Sequence, residues 1–167
     1  MKIINYTITL IISCTVYACN IYSFNGASIS SNVKTVSVQY FPNNASTIQP
    51  ALSQNFSEKL KDYFLEQTNL KLIDNNADLN FSGEIKKYEI KPIAIGSDEI
   101  ARKNRLTIDV QVIFSNKYDS KANFDQKFSR YKDYESSLNL SDIEEGLIEE
   151  ITTELAEDIF NKSVVNW

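Results

Sequence analysis

Val36, Val38 and Tyr40 are apolar while Ser37 and Gln39 between them are polar, a period of two that belongs to a half-buried strand. The pattern predicts a strand over 33–41, stopped by Pro42-Asn43-Asn44. Pro50 then precedes Leu52, Phe56, Leu60, Tyr63 and Phe64 at helical spacing. A proline at the first helical position costs no hydrogen bond, so a helix is predicted over 50–67. A second alternation puts Leu79, Phe81, Gly83 and Ile85 on one face and Asn80, Ser82, Glu84 and Lys86 on the other. Past Lys86-Lys87 the phase slips to Tyr88 and Ile90, which predicts a bulge. The longest alternation spans 105–115, with Leu106, Ile108, Val110, Val112 and Phe114 on one side. A turn over 116–120 leads to a strand at 122–131 in which Phe124 and Phe128 share a phase, and the two strands form a hairpin. The last helix opens on Ser141-Asp142-Ile143-Glu144, which reads as a capping box, and carries the stripe Ile143, Leu147, Ile151, Leu155 and Ile159.

The order β-α-β-β-β-α, with a polar outer sheet face, predicts an α+β two-layer sandwich: two helices packed on one face of a four-stranded mixed sheet. Strands one and two, joined through a helix, are expected to run parallel if adjacent. The core is expected between Leu106, Ile108, Val110 and Val112 on the sheet and Phe56, Leu60, Leu147, Ile151 and Leu155 on the helices.

Ahead of this pattern, the apolar run around Ile8 to Ile12 is too short to span a bilayer core and reads as a secretory signal peptide. It ends Val16-Tyr17-Ala18-Cys19, which has the form of a bacterial lipobox, so Cys19 is the expected lipidated residue. Ile11-Ile12-Ser13-Cys14 is a competing match that would leave a free thiol at 19. The expected organisation is a signal peptide over 1–18, a Ser/Asn-rich tether over 19–32 and a single domain over 33–167. Both cysteines lie in the first nineteen residues, so no disulfide framework is available to the domain.

Charge narrows the function further. After residue 18 the chain has 16 basic and 22 acidic residues, a balance unsuited to wrapping nucleic acid. There is no histidine, which removes the usual neutral-pH base, the Ser-His and Cys-His nucleophile pairs and imidazole metal ligands. The four glycines are too scattered for a phosphate-cradling loop. Asp74-x-Asn76-x-Asp78 imitates a calcium loop, but Leu79 stands where Gly is required and Ile85 where Glu is required. Neither a metal, a cofactor nor an enzymatic activity is expected. Asn44-Ala45-Ser46 and Asn80-Phe81-Ser82 are sequons of the kind that arise by chance in an Asn-rich chain.

Two charge constellations remain. The last helix is strongly acidic, with only Lys162 opposing it from within, and reads by default as a solvated face. The cations collect elsewhere: Lys86, Lys87 and Lys91 precede the connection over 92–101, and Arg102, Lys103 and Arg105 follow it. A hairpin here brings both triplets to one end of the molecule around an apolar turn. That is a candidate site for an amphiphile with anionic groups or for a partner.

The segments Cys19 with IYSFNGASI, TVSVQYFPN, LSQNFSEKLKDYF, ARKNRLTIDVQVIF, FSRYKDY and EDIFNKSVVNW resemble, in order, the lipopolysaccharide-assembly lipoprotein family LptE. The resemblance implies a lipid-anchored outer-membrane protein, not an enzyme. Such a protein plugs the LptD β-barrel translocon, assists its assembly and helps deliver lipopolysaccharide to the outer leaflet. Asn20 follows Cys19 where the inner-membrane retention residue of some bacteria is Asp, so outer-membrane sorting is unopposed. The resemblance assigns no lipopolysaccharide-contacting residue. The competing class is a lipid-anchored periplasmic binding or scaffold module with no connection to lipopolysaccharide. A cationic patch at an exposed sheet end favours the first class, and a closed apolar pocket inside the sandwich favours the second.

Overall fold

The structure is a computed structural model that describes residues 29–47, 49–94 and 101–165. Cys14, Cys19, the signal peptide and most of the tether lie outside the described residues. Strand β1 (Thr35–Val38) leads to helix α1 (Leu52–Gln67) and the short strand β2 (Lys71–Leu72). Two long strands follow, β3 (Leu79–Ala94) and β4 (Ala101–Asn116). A single 3-10 turn (Ser120–Ala122), β5 (Phe124–Glu135) and helix α2 (Leu140–Val164) complete the chain. The sheet has the order β2-β1-β3-β4-β5, with β1 parallel to both its neighbours and β3, β4 and β5 antiparallel. The fold is α+β with both helices on one face, as the alternation predicts, but the sheet has five strands. The fifth, β2, is two exposed residues long, too short to alternate, and pairs through Thr35↔Lys71 and Val36↔Leu72.

The core lies between the layers. Leu106, Ile108, Val110 and Val112 are fully buried, as are Phe56, Leu60, Ile151 and Leu155, whereas Leu147 is only partly covered. A row of rings, Phe64, Phe81, Phe114 and Phe124, steps across the sheet at centroid spacings of 4.7 to 5.1 Å. Gly83, in the left-handed region at φ +153°, has a reason to be glycine: a Cβ there would fall on the carbonyl oxygen of Gln111 and crowd the Phe41 ring.

Several boundaries differ from the sequence reading, each for a local reason. β1 ends at Val38 because the chain leaves the ladder, and the Phe41 N–H donates to Ser57 Oγ of α1 at 3.0 Å. Helix α1 begins at Leu52, two residues after Pro50. The Gln49 side-chain oxygen accepts from the N–H groups of Ala51 and Leu52 and closes the first turn in place of a proline start. The capping box does not form. Helix α2 starts at Leu140, Ser141 Oγ reaches Asp142, and Glu144 accepts a hydrogen bond from the hydroxyl of buried Tyr88. Burial, and then the neighbouring Glu144 carboxylate, raise the Tyr88 phenol well above its ordinary range. The predicted bulge is present: the register shifts between Ile85 and Lys87, leaving Lys86 as the extra residue. β3 and β4 run further than the alternation of 79–90 and 105–115, reaching Ala94↔Ala101.

The acids of the calcium-like loop are not idle. Asp78, nearly buried, accepts from the N–H groups of Lys34 (2.9 Å) and Thr35 (3.1 Å) and from Thr35 Oγ1 (3.0 Å), which fastens the start of β1 to β3. Those hydrogen bonds, the Lys34 N–H first, hold its carboxyl below the usual carboxylate range. Among the described residues no group of acidic, Cys or His side chains is placed to hold a metal ion. No described helix is long and apolar enough to cross a membrane.

Candidate functional site

Because both helices cover one face, the other face of β3, β4 and β5 stays open, and alternation fills it with polar side chains. The register arranges them in rows across the three strands. Lys87 stands opposite Asp109 and Ser129, Glu89 opposite Thr107 and Tyr131, Lys91 opposite Arg105 and Asp133, and Ile93 opposite Lys103 and Glu135. The hairpin anticipated from the sequence therefore forms and carries Lys91, Lys103 and Arg105 together at its distal end.

The six cations do not form one bare cationic pole. At about 3.3 Å of rise per residue, Lys86 and Lys87 sit roughly 13 to 16 Å down the strand from Lys91. Strands longer than expected spread the cluster along the sheet. Each described cation also meets an acid. Lys86 pairs with Glu84 at 2.5 Å, while Lys87 and Lys91 share Glu89 at 3.3 and 3.0 Å. Lys103 lies 3.7 Å from Glu135. Arg105 makes a two-point contact with Asp133, Nε to Oδ1 at 2.7 Å and Nη2 to Oδ2 at 2.9 Å, and its guanidinium lies 3.7 Å over the Tyr131 ring. The Arg102 side chain lies outside the described residues.

Two of these acids show the effect of their partners. The hydrogen bond from Arg105 holds Asp133 below its ordinary range, and Lys91, then Lys87, do the same for Glu89. The result is a lattice of alternating charge. It has a local excess where two lysines share Glu89, and the more exposed is Lys91, with 66% of its side chain open. Such pairs exchange partners at small cost, since solvent-accessible pairs contribute about 0 to 1 kcal/mol each.

Sequence reasoning missed the acids of this lattice. Ending the last strand at 131 left Asp133 and Glu135 unplaced, although Phe128 and Tyr134 keep one phase across 124–135 and are both buried. Asp109 falls on the polar side of the 105–115 alternation, yet it is 5% exposed, with Ser129 Oγ donating to it at 2.6 Å and Lys127 at 3.4 Å.

The acidic helix is also less free than a solvated face. Arg130 of β5 makes a two-point contact with Asp158, and Lys132 bridges Glu150 (3.0 Å) and Glu154 (2.7 Å). Lys59 of α1 pairs with Glu149. The opposing cations come from other elements, where no reading along the helix could find them.

Comparison with known proteins identifies what these elements are similar to. A family model described as LptE, lipopolysaccharide-assembly, matches residues 33–163. Among solved structures, a hypothetical protein from Chlamydia trachomatis aligns at TM-score 0.56 and 9% identity, over 80% of this chain and 99% of its own. An uncharacterized lipoprotein B from Nitrosomonas europaea aligns at TM-score 0.50 and 11% identity, over 84% and 86%. A rare lipoprotein B from Shewanella oneidensis aligns at TM-score 0.47 and 16% identity, over 77% and 92%. At these identities the first two likenesses concern the fold alone. No curated protein matches the sequence.

Proposed function

This chain belongs to the LptE lipopolysaccharide-assembly family, and from that membership we propose that it is an outer-membrane lipoprotein, held by a lipidated Cys19, that seats in and helps assemble an LptD-type β-barrel translocon. In that position it assists the passage of lipopolysaccharide to the outer leaflet. The observation that carries the reading is the extent of the family match: 33–163 takes in every strand and all but the last residue of α2.

The physical argument concerns the open sheet face. A barrel lumen is polar, so a plug needs a polar, well-satisfied surface toward the wall and an apolar core kept to itself. The lattice of Lys86, Lys87, Lys91, Lys103 and Arg105 with their acids fits that need, and Arg102 adds a further cation to the same hairpin. Anionic groups on the wall or on a lipid headgroup are met by Lys91 and Arg105, whose present partners are partly exposed and replaceable. The role is one of positioning rather than catalysis, in keeping with a chain that has no histidine.

Affinity purification from outer membranes tests this directly. A large β-barrel protein is expected to co-elute, and mass spectrometry of the N-terminal peptide is expected to find residue 19 lipidated. Neutralising Lys91, Arg102, Lys103 and Arg105 together to Gln is expected to weaken association with the barrel or with lipopolysaccharide in a salt-sensitive way, with the fold intact. Gln is chosen over Glu because an acid at 105 would face Asp133. Absence of any barrel from the eluate, or a mature chain beginning at 14, overturns the corresponding part of the proposal.

A further inference from the structure

The chain enters the described fold beside an open groove at the end where β1 begins. Ile29, Val33 and Leu70 supply its apolar side, and Gln67, Thr68 and Asn69, at the end of α1, supply a polar rim. Ile29 and Leu70 pack on the core yet stay only partly covered. The hollow measures about 240 Å³, more than the roughly 150 Å³ that holds a benzene ring.

The residues that lead into this groove, outside the described ones, carry a pattern of their own. Asn25-Gly26 is a hairpin signal, because a type I′ turn needs positive φ at both central residues. A two-residue turn there sets Phe24 opposite Ala27, Ser23 opposite Ser28 and Tyr22 opposite Ile29. Cross-strand partners share a face and alternate residues share a phase. Tyr22, Phe24, Ala27 and Ile29 therefore fall on one face, and Ser23, Ser28 and Ser30 on the other together with Ile21. Since Ile29 packs on the core, the apolar face is the one turned toward the groove. A slip of one residue would turn serines there instead.

The groove suits this segment better than a foreign one. No charged residue occurs from 19 to 33, and Lys34 is the one charged residue among those lining the hollow. A tyrosine has the apolar ring and the hydroxyl that an apolar wall with an amide rim can satisfy together. A segment joined to Ile29 by a short stretch of chain also acts at an effective concentration on the order of millimolar, ahead of any partner in solution.

We infer that residues 21–30 form a hairpin folded back onto the domain, with the Tyr22 ring beside Ile29 against Val33 and Leu70 and its hydroxyl toward Gln67, Thr68 and Asn69. The segment is then part of the fold rather than a free tether. Where Cys19 is the anchored residue, only Asn20 separates the lipid from the hairpin, and the domain is held at the membrane by the end where β1 begins. β3 starts level with Val36, runs parallel to β1 and carries Ala94 roughly 50 Å from that end. The cationic tip of the β3–β4 hairpin is thereby directed away from the anchor. That orientation rests on the lipidation of Cys19, and the docking does not.

NMR of the protein purified in detergent, with isoleucine methyl groups labelled, tests the docking. The Ile29 methyl, assigned through Ile29→Val, is expected to show Overhauser contacts to a tyrosine ring. These are expected to vanish in Tyr22→Ser and in Gly26→Val, whose β-branched side chain is excluded from the left-handed turn, and to persist in Ile21→Ser. Chymotrypsin is expected to cut after Tyr22 and Phe24 at least tenfold faster in Gly26→Val than in the native sequence. The proposal is overturned by the absence of a tyrosine contact at Ile29, by contacts that survive Tyr22→Ser or Gly26→Val, by their loss in Ile21→Ser, or by equal cleavage rates. Contacts that arise only between differently labelled copies in a mixed sample overturn it too, in favour of a second chain as the occupant. Contacts retained in a protein without lipid at residue 19 support the docking and overturn the orientation alone.

Discussion

Asp78 shows how much one side chain settles in this fold. Its carboxylate satisfies two backbone N–H groups and one hydroxyl at the start of β1, a four-residue strand with little ladder of its own. Replacing it with Ala leaves those donors without their partner near the core, at an expected cost of about 1 to 3 kcal/mol in urea unfolding at neutral pH. The pH dependence has a definite sign. Because the folded carboxyl titrates below its unfolded value, its contribution is complete above about pH 4, the unfolded range, and is lost as pH falls through the lower folded pKa. Asp78→Asn is therefore expected to flatten the acid side of the stability profile, seen as a smaller shift of the urea midpoint between neutral and strongly acidic pH. A profile identical to wild type would remove Asp78 from the acid sensitivity of the fold.

Helix α2 separates two kinds of interaction along its length. Its core face places Ile151, Leu155 and Ile159 at zero exposure against the sheet, and its flank places acids against Arg130 and Lys132. Ile151→Ala is expected to cost about 2 to 5 kcal/mol, since it removes buried methyl and methylene groups and leaves a cavity. Lys132→Ala removes two partly exposed ion pairs and is expected to cost about 1 kcal/mol or less, falling further in high salt. Chemical denaturation of the two variants at low and high salt checks both numbers. A Lys132 effect rivalling that of Ile151 would mean that the flank, not the core, docks the helix. By the same reasoning the partly exposed ion pairs of the hairpin cations are expected to contribute little to stability.

At the scale of the whole molecule, one continuous core joins β1, β3, β4, β5 and both helices, and we expect 33–167 to behave as one cooperative unit. Thermal unfolding of the full chain is expected to show a single transition that reductant does not move, because the only thiols, Cys14 and Cys19, precede the core. Two transitions, or a shift with dithiothreitol, would refute that unit. A molecule built this way, with its core closed between layers and an open face of paired charges, suits a protein that works by fitting against another.

The sequence by itself determined the layers. The period of two in 105–115 and the helical stripes of both helices assign most side chains to the core or to water, with Asp109 and Leu147 as exceptions, and that sorting is local, set by the backbone geometry of strand and helix. The bulge at Lys86 was legible for the same reason, as a slip of phase. Family membership was legible too, from segments spread along the whole domain. Tertiary structure alone decided the contacts that no turn or phase announces: β2 exists because Lys71 and Leu72 happen to pass β1, and Glu144 abandons the helix cap because Tyr88, 56 residues away, donates to it. The charge lattice has the same origin. Whether Arg105 is a free cation or one bound to Asp133 depends on which strand lies beside it and in which register. Charges interact through space over a few ångströms and not along the chain, so the cations could be found in the sequence while their neutralisation could not.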